Sequence, residues 1–317
     1  MVSVLPKMMK AAVIDKAGPP SAIRIASVPV PRLARGHVII ALDYASVGSW
    51  DAKIRSGAWG PVKRGTILGA DGSGIVAAVS SDVKRLRVGE RVYAYSYGQR
   101  SGFYAEYVSV LADRVERVPR QLDQKVAGAM PCVALTAHSG LRVLKIKRGK
   151  TLLVFGASGG VGSLAVWLGA RAMGATIIGT ARPDAHAYLR KLGAAHAIDP
   201  HSPQRGSALQ RIAPKGFDAM LATANGKDLP ALVPDLRPRA PIGYPNGVEP
   251  EIVIDGHPSR PFDGTMARRN FQLLNEAMGA RTMPLRVEVF PLERVVDAHR
   301  RFEQGHVVGK IVLRIRR

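Results

Sequence analysis

The chain has 317 residues, 46% of them hydrophobic, with one cysteine, 46 Lys and Arg against 24 Asp and Glu, and a formal net charge of +22. That length outgrows one hydrophobic core and suits two domains, and the composition excludes a disordered chain, a disulfide framework and a zinc site built on clustered cysteines. No apolar run reaches the ~18 residues of a membrane span, so no membrane partner is expected, and a lone Cys132 suits a reducing, cytoplasmic setting. Met1 to Met9 is too short and broken for a signal peptide and is expected to be a ragged extension. The positive charge is spread along the chain with no basic tail, zinc-finger spacing or RNA-binding aromatic motif. Nucleic acid is therefore not the expected partner. An anionic cofactor or substrate fits the charge, and so does a basic solvated surface.

In chain order, Met9 to Ile14 reads as a strand and Ile23 to Ile25 alternates. Val38 to Leu42 is a continuous apolar run of the buried-strand type. Helical spacing begins near Trp50, with Asp51 and Arg55 four apart on one face. Further strands are expected at Ile75 to Val79, Arg91 to Tyr95 and Tyr104 to Val110. Short strands with turns between them predict a β-rich, barrel-like domain over roughly residues 1–125. Texture changes at Gln124: Ala127 to Leu144 reads as one Ala- and Leu-rich helix. Beyond it, alternating strands and helices predict a sheet of about six strands, finishing at Ala240 to Gly243 and Glu251 to Ile254. From about residue 261, a helix over Arg269 to Arg281, strands at Val287 to Phe290 and Lys310 to Ile315, and a helix over Leu292 to Gln304 return to the first pattern. The chain is expected to close back onto its first domain, with an active site in the cleft between domains.

The stretch from Thr151 to Arg182 organises the rest. An apolar run to Phe155 meets glycines at 156, 159, 160 and 162, then a helical pattern from Leu164 to Ala170, then a second apolar run from Thr176. Strand, tight turn, helix and parallel strand make a βαβ unit. Gly159 lets a backbone approach a pyrophosphate, Gly162 lets the helix lie close on the strand, and the helix N-terminus offers N–H groups to phosphate. Ala157 takes the first glycine of the usual G-x-G-x-x-G fingerprint, so the run reads A-x-G-G-V-G. Gly156 to Gly160 also matches G-x-S-x-G, a nucleophile elbow around Ser158, although no oxyanion segment of the HGGG kind precedes it. Gly149-Lys150-Thr151 is not a P-loop, because Leu144 stands where its first glycine belongs. Nineteen residues after Gly162 stands Ala181, followed by Arg182. An acid there would bind the ribose hydroxyl of NAD. A guanidinium suits the 2′-phosphate of NADP, so the reading favours NADPH, against an Arg that is merely solvated.

Ordered motifs run nearly end to end: MKAAV at the start, Asp51-x-x-x-Arg55-x-Gly57, Leu68-Gly-Ala-Asp-Gly-Ser-Gly74, Val88-Gly-Glu-Arg-Val92, Gly102-Phe-Tyr-Ala-Glu-Tyr-Val108, Leu135-Thr-Ala137, Ala157-x-Gly-Gly-Val-Gly162, Phe217-Asp218-Ala219 and Gly309-Lys-Ile-Val-Leu313. On these the chain resembles the zinc-independent medium-chain dehydrogenase/reductases, specifically the quinone oxidoreductase, zeta-crystallin-like branch. The resemblance implies an α/β fold, a Rossmann doubly wound parallel sheet plus a GroES-like β-barrel catalytic domain, divided as 1–125, 126–260 and a C-terminal return over 261–317. It implies NADPH-dependent reduction of a quinone or α,β-unsaturated carbonyl, usually by a homodimer whose Rossmann sheet continues across the pair, here through the edge Glu251 to Ile254.

By matching positions, the resemblance implies that Thr136 lies near the nicotinamide or its ribose. Ser158, Gly159, Gly160, Val161 and Gly162 form the phosphate turn, Ala181 and Arg182 the adenosine end, and Thr223 and Gly243 border the cofactor from later strands. Zinc-dependent relatives carry a Cys ligand where Gly48 stands and a His-Glu pair at Ala70 and Asp71; the four-cysteine lobe is absent, and no metal is expected. Related enoyl reductases place a proton-donating Tyr near Trp59, whose indole is no acid at neutral pH. Gly48, Trp59 and Tyr97 are the candidate substrate-pocket residues. Tyr93, Tyr95 and Tyr97 fall on one strand face, as sources of a hydroxyl or as core tyrosines. No catalytic residue is assigned. Cys132 is expected to be a small buried hydrophobe. The alternative function is an NADPH-binding protein of weak catalysis, a redox sensor or nucleic-acid binder.

Overall fold

The computed structural model describes residues 5–96, 102–224 and 226–316. In chain order the elements are β1 (Met8–Ile14), β2 (Arg24–Pro29), β3 (His37–Val47), α1 (Ser49–Ser56), β4 (Thr66–Ile67), β5 (Asp71–Val79), β6 (Arg91–Tyr95), β7 (Tyr107–Leu111), β8 (Val115–Arg117), α2 (Gln124–Ala129) and α3 (Pro131–Val143). Then follow β9 (Thr151–Phe155), α4 (Gly160–Trp167), β10 (Thr176–Thr180), α5 (His186–Leu192), β11 (His196–Ile198), α6 (Arg205–Ile212), β12 (Ala219–Ala222), β13 (Ile242–Pro245) and β14 (Ser259–Phe262). The last elements are α7 (Arg268–Met278), β15 (Val287–Pro291), α8 (Val295–Glu303) and β16 (Lys310–Arg314). Contacts divide the chain into one unit of Met1–Cys132, Met266–Leu273 and Arg286–Arg317, and a second of Val133–Thr265 and Leu274–Leu285.

The first unit is mostly antiparallel β. A seven-stranded sheet runs β15-β16-β3-β5-β6-β8 with β7 also on β3, and a small sheet runs β2-β1-β4. β3 is the hub: its eleven residues pair with β5, β7 and β16. Eight of them are buried, because both faces are covered, and this is why an unbroken apolar run appears where a half-solvated strand would alternate. The core joins Ile14, Ile40, Leu42, Val92 and Phe103 to Leu292, Ala298 and Ile311 from the end of the chain. α1 starts at Gly48 and stops at Gly57, whose φ of 80° is the left-handed C-terminal geometry glycine favours.

The second unit holds a parallel sheet in the order β11-β10-β9-β12-β13-β14. That is the 3-2-1-4-5-6 order of a doubly wound Rossmann fold. β9 at its centre pairs with β10 and β12, and Leu152, Leu153 and Val154 are fully buried. Asp218 anchors the start of β9: its carboxylate accepts the Thr151 N–H at 2.9 Å and the Lys150 ammonium at 3.0 Å.

Three sequence expectations are corrected. The helix expected over Ala127 to Leu144 is two helices, α2 and α3, broken at Met130; Pro131 has no N–H to give and begins the second. The strand expected from Tyr104 is confined to β7; Ala105 makes only an isolated bridge to Ala11. Glu251 to Ile254 is not the sheet edge. Ile254 bridges to His257 around a turn at Asp255 and Gly256, and the edge strand is β14, paired with β13.

Candidate functional site

In the second unit the glycine turn joins β9 to α4. Gly156 takes φ 75°, a left-handed turn. Thr223, just past β12, donates its hydroxyl to the Phe155 and Gly156 carbonyls at 3.0 and 3.2 Å, bracing the turn from the neighbouring strand. Gly159 is the N-cap of α4, with ordinary extended dihedrals. Gly162 lies against the turn itself: a Cβ there would meet the Gly156 carbonyl and come within 2.7 Å of the Ala157 Cα. At Gly159, by contrast, nothing but the Gly156 carbonyl oxygen, at 3.6 Å, borders the space a Cβ would enter. The two glycines therefore differ in kind. Gly162 is required by helix-on-strand packing, and Gly159 leaves a gap beside the free N–H groups of Gly160, Val161 and Gly162 in the first turn of α4. Ser158 lends its carbonyl to the Ser163 hydroxyl at 3.1 Å.

β10 ends at Thr180, beside this turn, where the Thr180 carbonyl accepts the Ala157 N–H at 3.1 Å. Ala181 is buried, hydrogen-bonded through its N–H to Ile198 and through its carbonyl to the His186 ring. Arg182 follows with a side chain 47% exposed, its guanidinium 3.2 Å from Asp184. Such an exposed pair is weak and easily exchanged for a phosphate. Residues 158–162, 181, 182 and 223 thus gather at one end of the parallel sheet. Two other sequence-derived positions have different neighbours. Gly243 sits inside β13 with Leu144 packed where its Cβ would be, and Thr136, in α3, faces the backbone at Gly264.

In the first unit, a cavity of about 170 Å³ is walled by Ile54, Trp59 to Lys63 and Thr66 to Ala70, with Asp51 at its side. Trp59 is 39% exposed and meets Trp50 edge-on at 4.2 Å, with the Lys53 ammonium 5.3 Å from its ring. Gly48 adjoins the same acid, because its N–H donates to Asp51 Oδ2 at 2.9 Å. Tyr97 lies outside the described residues. Tyr93 and Tyr95 are buried; the Tyr93 ring packs edge-on against Phe271 at 5.2 Å and burial drives its hydroxyl pKa far upward. It is a core residue.

A buried charge cluster lies next to Gly48. Lys310, on β16, is 7% exposed and donates its ammonium to the Val47 carbonyl at 2.9 Å. A Cβ on Gly48 would sit 3.3 Å from Lys310 Nζ and 3.8 Å from Asp51 Oδ2. Asp71, 1% exposed, accepts the Ser46 hydroxyl and, at 2.8 Å, the Cys132 N–H. Burial raises the Asp51 carboxyl to about 6 and raises that of Asp71 too, while Lys310 pulls both down. Burial, with Asp71 beside it, pushes the Cys132 thiol up to about 12. The spacing of Asp51 and Arg55 suggests a pair on one face, but Arg55 is bound instead to the Gly18 carbonyl and Glu303.

A family model described as alcohol dehydrogenase GroES-like domain matches residues 34–120, and one described as zinc-binding dehydrogenase matches residues 192–313. The chain belongs to the medium-chain dehydrogenase/reductase family. It is 27% identical to the human mitochondrial NAD(P)H oxidoreductase RTN4IP1 over 97% of this chain and 89% of the relative. It is 33% identical to the chloroplastic NADPH-dependent alkenal/one oxidoreductase of Arabidopsis thaliana, over 62% of this chain and 53% of that one. Among solved structures, the quinone oxidoreductase of Coxiella burnetii superposes with a TM-score of 0.87 at 26% identity, over 98% of this chain and 100% of that one. Family membership also sets aside a hydrolase elbow at Ser158.

The metal named in the second family description does not fit this chain. Positions 48 and 70 are Gly and Ala, with no donor atom, and the space beside Gly48 is taken by an ammonium. The Cys132 thiol holds its proton. Among the described residues no three His, Cys, Asp or Glu side chains are grouped as a ligand set. Among the described residues, too, no helix is long and apolar enough to cross a membrane.

Proposed function

We propose that this protein is an NADPH-dependent, zinc-independent oxidoreductase that reduces a quinone or an α,β-unsaturated carbonyl. The observation that carries the reading is the end of β10. Ala181 and the exposed guanidinium of Arg182 stand where an acid would select NAD, level with a glycine turn whose open side is at Gly159. When bound, NADPH supplies the hydride. The protein's residues would bind and orient it: the N–H groups of Gly160 to Gly162 would hold the pyrophosphate and Arg182 the 2′-phosphate, while Thr223 braces the turn. We assign Thr136 and Gly243 to the nicotinamide side from their matching positions. The apolar walls at Ile54, Trp59 and Ile67 suit a flat, weakly polar acceptor.

Separate titrations with NADPH and NADH test the reading: tighter NADPH binding supports it, and equal or tighter NADH binding refutes the role of Arg182. Tight NADPH binding with no turnover of any quinone or enone would favour the sensor alternative. A homodimer whose parallel sheet continues across the pair at this end would pair through β14, and light scattering on the purified chain decides its presence. The single cysteine supports a reducing, cytoplasmic compartment.

A further inference from the structure

The buried acid beside the pocket is placed for more than capping a helix. Asp51 is 3% exposed, yet it forms part of the cavity wall, where it is the one acidic side chain among the described residues. The N–H of Gly48 holds Oδ2, which is ordinary capping of α1 and asks only for an acceptor oxygen. The N–H of Gly69 holds Oδ1 at 3.0 Å from the other side. These two bonds hold the carboxyl in place at the cavity that Gly69 and Ala70 also line. Four groups face it: the Lys310 ammonium from β16, the Asp71 carboxyl from β5, the Tyr104 phenol and the Cys132 thiol. Arg55, one turn along α1, is committed to Gly18 and Glu303. Burial lifts Asp51 to about 6, so a proton resides there for part of the time near neutrality.

Reduction of an enone or quinone needs a proton as well as a hydride. Trp59 has none to give, and of the two ionisable side chains that line the cavity among the described residues, Lys63 is exposed to solvent and Asp51 is buried. We propose that Asp51 donates the proton to the acceptor seated in this pocket, and that Lys310 steadies the carboxylate left behind; the inference rests on the reductase reading above. The balance is simple. Two electrons and one hydrogen reach the acceptor carbon as hydride, with oxidation of NADPH to NADP⁺, and negative charge develops on the acceptor oxygen. The Asp51 O–H bond breaks, an O–H or C–H bond forms on the acceptor, and the carboxylate stays on the Gly48 and Gly69 N–H groups. Water returns the proton before the next turnover.

The test follows kcat against pH, from about pH 5 to 9, for the wild type, Asp51→Asn and Asp51→Glu, with NADPH and either 1,4-benzoquinone or a 2-alkenal. A required acid loses activity as pH rises through its pKa, so wild-type kcat should fall about tenfold per pH unit above that point. Asp51→Asn, which keeps one of the two acceptor oxygens, should bind NADPH normally, lose about 100-fold in kcat and lose the descending limb; Asp51→Glu, which keeps both acceptors and the proton, should restore the limb. An Asn variant with wild-type rate and profile overturns the proposal while leaving the reductase reading intact. If neither variant folds, the wild-type profile decides, and a kcat flat across the range overturns the role. A wild type that binds NADPH but reduces no acceptor overturns both.

Discussion

Gly159 and Gly162 stand three residues apart, and the structure assigns them opposite responses to the same substitution. In Gly162→Ala the new methyl would press on the Gly156 carbonyl and the Ala157 Cα, which is backbone on a buried turn and cannot rotate away. Either α4 lifts from β9 or the turn opens; overpacking of this kind costs about 1–3 kcal/mol. In Gly159→Ala the methyl enters open space, and φ −74°, ψ 178° suits alanine. Loss of a glycine N-cap and the stiffer unfolded chain nearly offset each other, so stability should stay within about 1 kcal/mol of wild type. The methyl would, however, stand where a pyrophosphate passes the N–H groups of α4, and NADPH affinity should fall by at least about tenfold, or 1.4 kcal/mol. Urea denaturation and NADPH fluorescence titration on both variants separate the two effects. A Gly159→Ala protein that binds NADPH like wild type would refute the placement of the pyrophosphate, and a Gly162→Ala protein of undiminished stability would refute the packing account.

Arg182→Ala should weaken NADPH binding by about 10- to 100-fold, the worth of a charge-assisted contact, and leave NADH unchanged by the same titration. Asp51 binds its proton more tightly folded than unfolded, its pKa rising from 3.8 to about 6, so stability present below pH 3.8 is lost as pH climbs to about 6. By linkage that loss is about 3 kcal/mol, so the stability difference between the non-titrating Asp51→Asn and the wild type should move in the variant's favour by that order as pH rises from 4 to 8 in chemical denaturation, on top of a pH-independent cost for the one backbone N–H the amide leaves without an acceptor. His299 is wholly buried, without a hydrogen-bond partner for either ring nitrogen among the described residues, and burial lowers its pKa to about 3. The stability its neutral ring contributes is lost as pH falls from 6.5 toward 3, so His299→Leu should be neutral or stabilising at pH 7 and blunt acid unfolding.

The βαβ unit was legible because each of its parts carries a local signal: an apolar run to Phe155, glycines at the turn, and a second apolar run at Thr176. Arg91–Tyr95 was equally plain from its short β-prone run, although the strand is buried on both faces after Arg91. The sheet edge was not. Ile252 and Ile254 look like strand residues, but the edge is Ser259–Phe262, whose Pro261 and Arg260 disguise it; an edge strand needs only one row of backbone bonds, so its side chains are free of the apolar rule. The charge cluster was hidden for another reason. Lys310 reads as a surface lysine at the start of a strand, and its approach to Gly48 joins positions 262 residues apart. Asp51 reads as the partner of Arg55 one turn away, because local spacing says nothing of a Gly69 N–H brought in by the fold. The missing donors at 48 and 70 were visible in the sequence, whereas the ammonium beside them was visible only in three dimensions.

The proposed chemistry is metal-free hydride transfer from NADPH to an electrophilic carbonyl acceptor. Its most direct test is NADPH and NADH oxidation over a panel of quinones and enones, on protein dialysed against a strong chelator and assayed for bound zinc. Turnover of at least one class with NADPH preferred, at full rate and without zinc, is the predicted result. Activity that disappears on dialysis and returns with zinc, or a preference for NADH, would contradict it.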